Sequence, residues 1–188
     1  MRTDLIVKSL EALKAGKTLL YPTDTIWGIG CDATMEDAVE RIYAIKERDH
    51  QKSMLVLATE EMLSAELPSD ARQLLLEKGR PTTVIIPTVM LTLKVAANLP
   101  AQDGTIGVRI PRFSFCQELL HQLEHPIVST SANLSGRTAP ASYEDIVPAI
   151  HQRIDLDLPD DPSFHHEQQP SSRIVKLSPT GEIIIIRS

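Results

Sequence analysis

Ile6, Leu10 and Leu13 recur at helical spacing ahead of Gly16, which predicts an opening amphipathic helix closed by a glycine. The apolar run over 17–21 predicts a strand. Pro22 cannot donate to a ladder, so the polar YPTDT stretch falls in a loop at that strand's carboxyl end. Thr34 with Asp37 has the spacing of a helix-start cap, and Ala38, Val39, Ile42 and Ile45 carry an apolar stripe to Lys46. Short apolar runs over 53–58, 83–86, 105–110 and 127–130 predict strands, and 69–77 and 115–123 predict helices. Ser142 is placed as the cap of a short helix ending near Pro148. The proline- and charge-rich stretch 158–170 is expected to be a surface loop. Two strands, 174–177 and 182–187, close the chain around SPTG, a hairpin signal. Strands alternating with helices indicate an α/β domain, and the terminal hairpin makes the sheet mixed.

Composition narrows this picture. At 188 residues, 42% hydrophobic and 23% charged, the chain is long enough to bury roughly 70% of its unfolded surface without disulfides or a structural metal. It is expected to form one domain over 1–188, with no additional C-terminal domain. Cys31 and Cys116 stand far apart with no CxxC, which fits two buried thiols in a reducing cytosol. A net charge of −6 excludes a uniformly basic nucleic-acid-binding surface, so any anion site must be local. The N-terminus lacks the apolar core of a signal peptide, and no apolar run approaches the roughly 20 residues of a membrane span. Neither export nor membrane insertion is expected.

Several common site motifs are missing. No P-loop, GxGxxG, HExxH or GxSxG occurs. Gly28 and Gly30 in WGIGC lack a third glycine, and tight packing in a turn is the expected role. Lys46, Arg48 and Lys52 follow a helix end. They either complement its dipole in solvent or grip a polyanion, arginine supplying bidentate hydrogen bonds. Ser131, Asn133, Ser135 and Gly136 follow an apolar strand and offer hydroxyls, an amide and flexible N–H groups, either as a turn or as an anion cradle. No histidine or lysine adjoins Ser131, so it is not expected to be a nucleophile. Arg109 lies within an apolar strand, where a guanidinium demands an anion, either an internal carboxylate or a ligand. Thr23, Asp24 and Thr25 supply short polar groups beside the same cleft. His165, His166 and Glu167 are adjacent loop residues, expected to be surface groups rather than metal ligands. The pattern points to anion binding and reactant positioning, not covalent catalysis.

Taken together, YPTDTIWGIG, KER, TIGVRIP, STSANLSG and PSSRIV, in this order and spacing, resemble the YrdC-domain family of threonylcarbamoyl-adenylate synthases over nearly the whole chain. The resemblance implies a twisted open mixed α/β sheet with flanking helices. It also implies a cytoplasmic nucleotidyltransferase that combines L-threonine, bicarbonate and ATP, with Mg2+, into threonylcarbamoyl-AMP and pyrophosphate. The product would serve tRNA N6-threonylcarbamoyladenosine synthesis with downstream tRNA-modification proteins. Carried over by motif, Lys46 and Arg48 take the catalytic positions on the ATP phosphates, and Lys52, Thr105, Asn133 and Arg187 lie on the nucleotide side. Thr25, Arg109, Ser131 and Ser172 fall to L-threonine, with no protein ligand to a metal. Asp49, Arg80 and the Ser171–Ser172–Arg173 run depart from the family pattern. QQPSS and TIGVRIP also resemble a paralogous branch, which keeps open a double-stranded RNA-binding or ribosome-maturation module, with tRNA or other double-stranded RNA as its partner.

Overall fold

The computed structural model describes residues 2–49, 54–92, 94–161 and 171–188. Lys52 and the stretch 162–170, with His165, His166 and Glu167, lie outside the described residues. The elements run α1 (Arg2–Lys14), β1 (Leu19–Tyr21), β2 (Gly28–Asp32), α2 (Glu36–Lys46), β3 (Leu55–Leu57), α3 (Ser69–Leu76), β4 (Thr82–Pro87), β5 (Thr105–Arg109), α4 (Ser114–Leu123), β6 (Ile127–Ser131), α5 (Pro148–His151), β7 (Leu156–Asp157), β8 (Arg173–Leu177) and β9 (Ile183–Arg187). All nine strands join one open sheet in the order β7-β1-β2-β6-β3-β5-β4-β8-β9. The pairs β1/β7, β3/β5 and β4/β8 are parallel and the others antiparallel, so the sheet is mixed, as the terminal hairpin requires.

Side-chain alternation divides the sheet into two faces. Leu20, Ile29, Cys31, Val56, Val84, Ile86, Ile106, Val108, Val128 and Val175 point to one face, where they pack with Val39, Ile42 and Tyr43 of α2 and Ala71 and Leu75 of α3. Leu19, Tyr21, Leu57 and Ile127 point to the other, under Leu5, Ile6, Leu10 and Leu13 of α1 and Phe115, Cys116, Leu119 and Leu120 of α4. On that second face, Thr83 and Ile85 of β4, Gly107 and Arg109 of β5 and Ile174 of β8 line an open cavity instead.

Four expectations need correction. WGIGC is strand β2, not a turn. Gly30 is nonetheless there for packing, because a Cβ at that position would lie 2.0 Å from the Val128 carbonyl oxygen of neighbouring β6. Thr34 does not cap α2, whose N-cap is Met35. Its amide and hydroxyl instead donate to Asp32 Oδ1 at 2.8 and 2.7 Å. The short helix begins at Pro148 rather than ending there, as suits a residue with no N–H to contribute. Ser142 closes a local turn by donating to Asp145 Oδ2 from both amide and hydroxyl. The two-residue strand β7, too short for any periodic signal, was not anticipated.

Candidate functional site

The uncovered face is floored by residues with little or no side chain. Gly28 of β2 and Gly107 of β5 face the opening, where a Cβ on Gly28 would meet Thr23 Cγ2 at 3.3 Å and one on Gly107 would meet Thr83 Cγ2 at 3.2 Å. The resulting cavity holds about 360 Å³ and is lined in part by Thr25, Trp27, Arg48, Arg109, Ser131, Ser172 and Arg187. That volume lies within the range of small-molecule sites. No Asp, Glu or Lys lines it among the described residues, whereas three arginines do.

Arg109 sits at the carboxyl end of β5 with 4% of its surface exposed. Its Nη1 donates to Thr25 Oγ1 at 3.2 Å, and Nη2 lies 3.3 Å from Asp24 Oδ1. The internal-carboxylate reading of this arginine is therefore met by Asp24, and Arg109 is also one of the residues lining the cavity. Its Nε is buried with no hydrogen-bond partner among the described residues. Asp24 is fixed in turn by the Arg112 amide, which donates to Oδ2 at 3.2 Å. Thr25 is held by Thr23, whose hydroxyl lies 3.1 Å from Thr25 Oγ1 and donates to the Ile26 carbonyl at 2.7 Å.

Arg48 reaches the cavity through the way α2 ends. Glu47 takes a left-handed conformation at φ 52°, and the Arg48 amide bonds back to the Tyr43 carbonyl at 3.1 Å. This reversal turns side chains two residues apart in different directions, Lys46 inward and Arg48 toward the cavity. Half-burial pulls the Arg48 pKa below its ordinary value, the usual consequence of removing a cation from water. Across the opening, Arg187 Nε and Nη2 donate to the Ser172 carbonyl at 3.2 and 2.6 Å. Its pKa is lowered first by burial and then by Arg80 and Arg109, a concentration of positive charge that an anion would relieve. Ser172 Oγ and Thr83 Oγ1 lie 2.9 Å apart, joining β8 to β4 at the cavity wall.

Thr25, Arg48, Arg109, Ser131, Ser172 and Arg187 are thus brought together from six separate stretches of chain. Lys46, Thr105 and Asn133 are not among the lining residues. Lys46 is 1% exposed, with Nζ donating to the Ser131 and Asn133 carbonyls at 2.6 and 2.8 Å. Thr105 opens β5 and donates its hydroxyl to Asp103 at 2.6 Å. Asn133 turns its amide to the Leu134 and Arg137 carbonyls at 2.9 and 2.7 Å, shaping the loop after β6. Thr83 also lines the cavity without having been singled out in the sequence, although its place in β4, in period with Ile85, carried the signal. Trp27 was also missed. It is 3% exposed, lines the cavity, and packs on Tyr143 with ring centroids 4.8 Å apart.

The Sua5/YciO/YrdC family model, described as telomere recombination, matches residues 11–188. A threonylcarbamoyl-AMP synthase of Acinetobacter baylyi is 30% identical over 98% of this chain and 98% of its own. Among solved structures, P. abyssi Sua5 complexed with L-threonine superposes with a TM-score of 0.76 at 25% identity, covering 92% of this chain and 50% of that one. E. coli YciO superposes with a TM-score of 0.79 at 23% identity, covering 98% of this chain and 89% of that one. The chain therefore spans half the length of that Sua5 protein and nearly the full length of the A. baylyi synthase.

Proposed function

The chain belongs to the Sua5/YciO/YrdC family, and from that premise we propose that it is a threonylcarbamoyl-AMP synthase. Its substrates are L-threonine, bicarbonate and ATP, and its product is handed on in the cytoplasm to tRNA modification. The observation that carries this reading is the cavity lined by Arg48, Arg109 and Arg187 with no carboxylate among its described lining residues. Such a site suits two anionic reactants that must be held side by side against their own repulsion.

The chemistry asks for no protein nucleophile. The threonine amine combines with bicarbonate to give a carbamate and water. A carbamate oxygen then attacks the α-phosphorus of ATP, and the bond to the bridging oxygen breaks as pyrophosphate leaves with the electron pair. What the protein must supply is charge neutralisation and alignment. Arg109, steadied by Asp24 and Thr25, receives the threonine carboxylate, and the hydroxyls of Thr25, Ser131 and Ser172 border the same substrate. Arg48 and Arg187, at the opposite rims, take the phosphates. Mg2+ accompanies ATP in such reactions, but the cavity's hydroxyls and guanidiniums do not form a protein-held Mg2+ site, which would call for carboxylates. Among the described residues no group of three or more His, Cys, Asp or Glu could hold a metal. In this reading Mg2+ rides on the triphosphate, its common carrier in such reactions.

The test is pyrophosphate release from ATP and Mg2+, with L-threonine or bicarbonate omitted in turn. Dependence on both is the expected result. Release that ignores either one, or RNA binding that falls steeply with salt in a protein without ATP turnover, overturns the synthase reading.

A further inference from the structure

Lys46 closes the apolar face of α2, and its side chain runs inward beneath the loop that follows β6. Nζ donates to the Ser131 carbonyl at 2.6 Å and to the Asn133 carbonyl at 2.8 Å, and its own main-chain carbonyl accepts the Ser135 amide at 2.8 Å. One residue thus grips the 131–135 loop at three points. Inside the loop, Asn133 uses its side-chain amide on the Leu134 and Arg137 carbonyls, and the Ala132 amide donates to the Trp27 carbonyl at 3.0 Å. Ser131 and Trp27, which this web fixes, both line the cavity, whereas Lys46 does not.

We propose that Lys46 is a positioning residue, clamping the 131–135 loop so that Ser131 and Trp27 present the L-threonine side of the cavity, rather than a ligand of the ATP phosphates. Moving Nζ to a phosphate would take from the Asn133 carbonyl the donor it has here, and from the Ser131 carbonyl one of its donors. A buried carbonyl left without a donor is unfavourable. Arg48, two residues on and already at the cavity wall, needs no such displacement to reach the nucleotide. Burial and the neighbouring Arg48 bring the Lys46 pKa down to about 7, as expected of an amine whose partners here are carbonyl dipoles rather than a carboxylate.

The assignment of substrates rests on the synthase reading, but the clamp can be tested apart from it. Lys46→Met keeps the apolar stem and removes the donors. With nucleotide absent, L-threonine affinity, followed by calorimetry or by the emission of Trp27, the sole tryptophan, is expected to weaken about tenfold or more. Amide hydrogen exchange over 131–136 should quicken, while α4 on the opposite face exchanges as before. Should that variant not fold, Lys46→Gln, which keeps two N–H donors on a shorter stem, is expected to show the same losses to a smaller degree. L-threonine affinity within twofold of wild type in a folded variant, or unchanged exchange over 131–136, overturns the clamp. If the wild-type protein binds no L-threonine, the synthase reading fails, and exchange alone decides the role of Lys46.

Discussion

Arg109 and Arg48 are both guanidiniums in one cavity, yet their surroundings assign them different work. Arg109 is locked between Asp24 and Thr25, which fixes its guanidinium in one orientation and suits a small carboxylate at a fixed distance. Arg48 stands on the turn after α2 and suits a more extended anion. Arg109→Ala is therefore expected to raise the KM for L-threonine at least tenfold with a smaller change for ATP, and Arg48→Ala to do the reverse. Steady-state kinetics with each substrate varied check the pair, and equal losses for both substrates in both variants would dissolve the assignment. Lys46 gives a different signature, in stability rather than rate. The unfolded lysine keeps its proton up to its ordinary pKa of 10.5, while the folded one releases it near 7. Between those values the unfolded chain binds more protons, so this group's contribution to stability rises with pH. Urea melts at pH 7 and pH 9 should show wild type gaining on Lys46→Met, by at most roughly 1.4 kcal/mol per pH unit.

At the scale of elements, the cavity exists because strand and helix ends hold backbone where side chains would not fit. In β2, Gly30 lies so close to the Val128 carbonyl that any Cβ must part β2 from β6. Gly30→Ala is expected to cost more than about 3 kcal/mol, or to prevent folding, as read by denaturant midpoint. The end of α2 is a milder case. Glu47 occupies the left-handed position that glycine takes most readily, and its exposed carboxylate pairs with Arg153 at 2.9 Å. Removing the left-handed strain gains about 1–2 kcal/mol, glycine's extra freedom in the unfolded chain takes back about 0.5–1 kcal/mol, and losing an exposed ion pair costs a few tenths. Glu47→Gly should therefore raise the melting temperature slightly. A fall of several degrees would mean that the Glu47–Arg153 pair, rather than the backbone turn, holds the helix end in place.

At the scale of the molecule, the site belongs to the sheet rather than to any one loop. β2, β4, β5, β6, β8 and β9 all contribute to it or to its wall, so a ligand that bridges them binds the folded chain and not the unfolded one. Saturation to a hundred times the dissociation constant adds about 2.7 kcal/mol. For a domain of this size that is a rise of roughly 5–10 °C in melting temperature. ATP with Mg2+ and L-threonine should each produce a shift in wild type, and the L-threonine shift should vanish in Arg109→Ala. The same strand arrangement explains why β9 can carry Arg187 at the cavity while Ile184, Ile185 and Ile186 stand exposed. It is an edge strand, paired on one side only, within the described residues.

The sequence by itself determined most of the periodic elements, because helix and strand periods, proline stops and the SPTG turn are local properties. It also singled out Thr25, Arg48, Arg109 and Ser131, since short polar groups and arginines beside apolar strands are anomalous wherever they occur, whereas Ser172 and Arg187 came forward only through the family resemblance. β2 escaped it because two glycines in five residues mask the strand signal, and the reason for Gly30 lies across the sheet in the Val128 carbonyl. Lys46 and Asn133 were legible as polar residues of interest but not in their direction. Helix α2 ends by sending one side chain inward and turning the next residue but one toward the cavity, and only the packed loop after β6 supplies the carbonyls that capture Nζ. Which face of β4, β5 and β8 stays uncovered, and hence where the cavity lies, was decided by how far α1 and α4 extend over the sheet. That is a matter of long-range packing between segments remote in sequence, which no local pattern encodes.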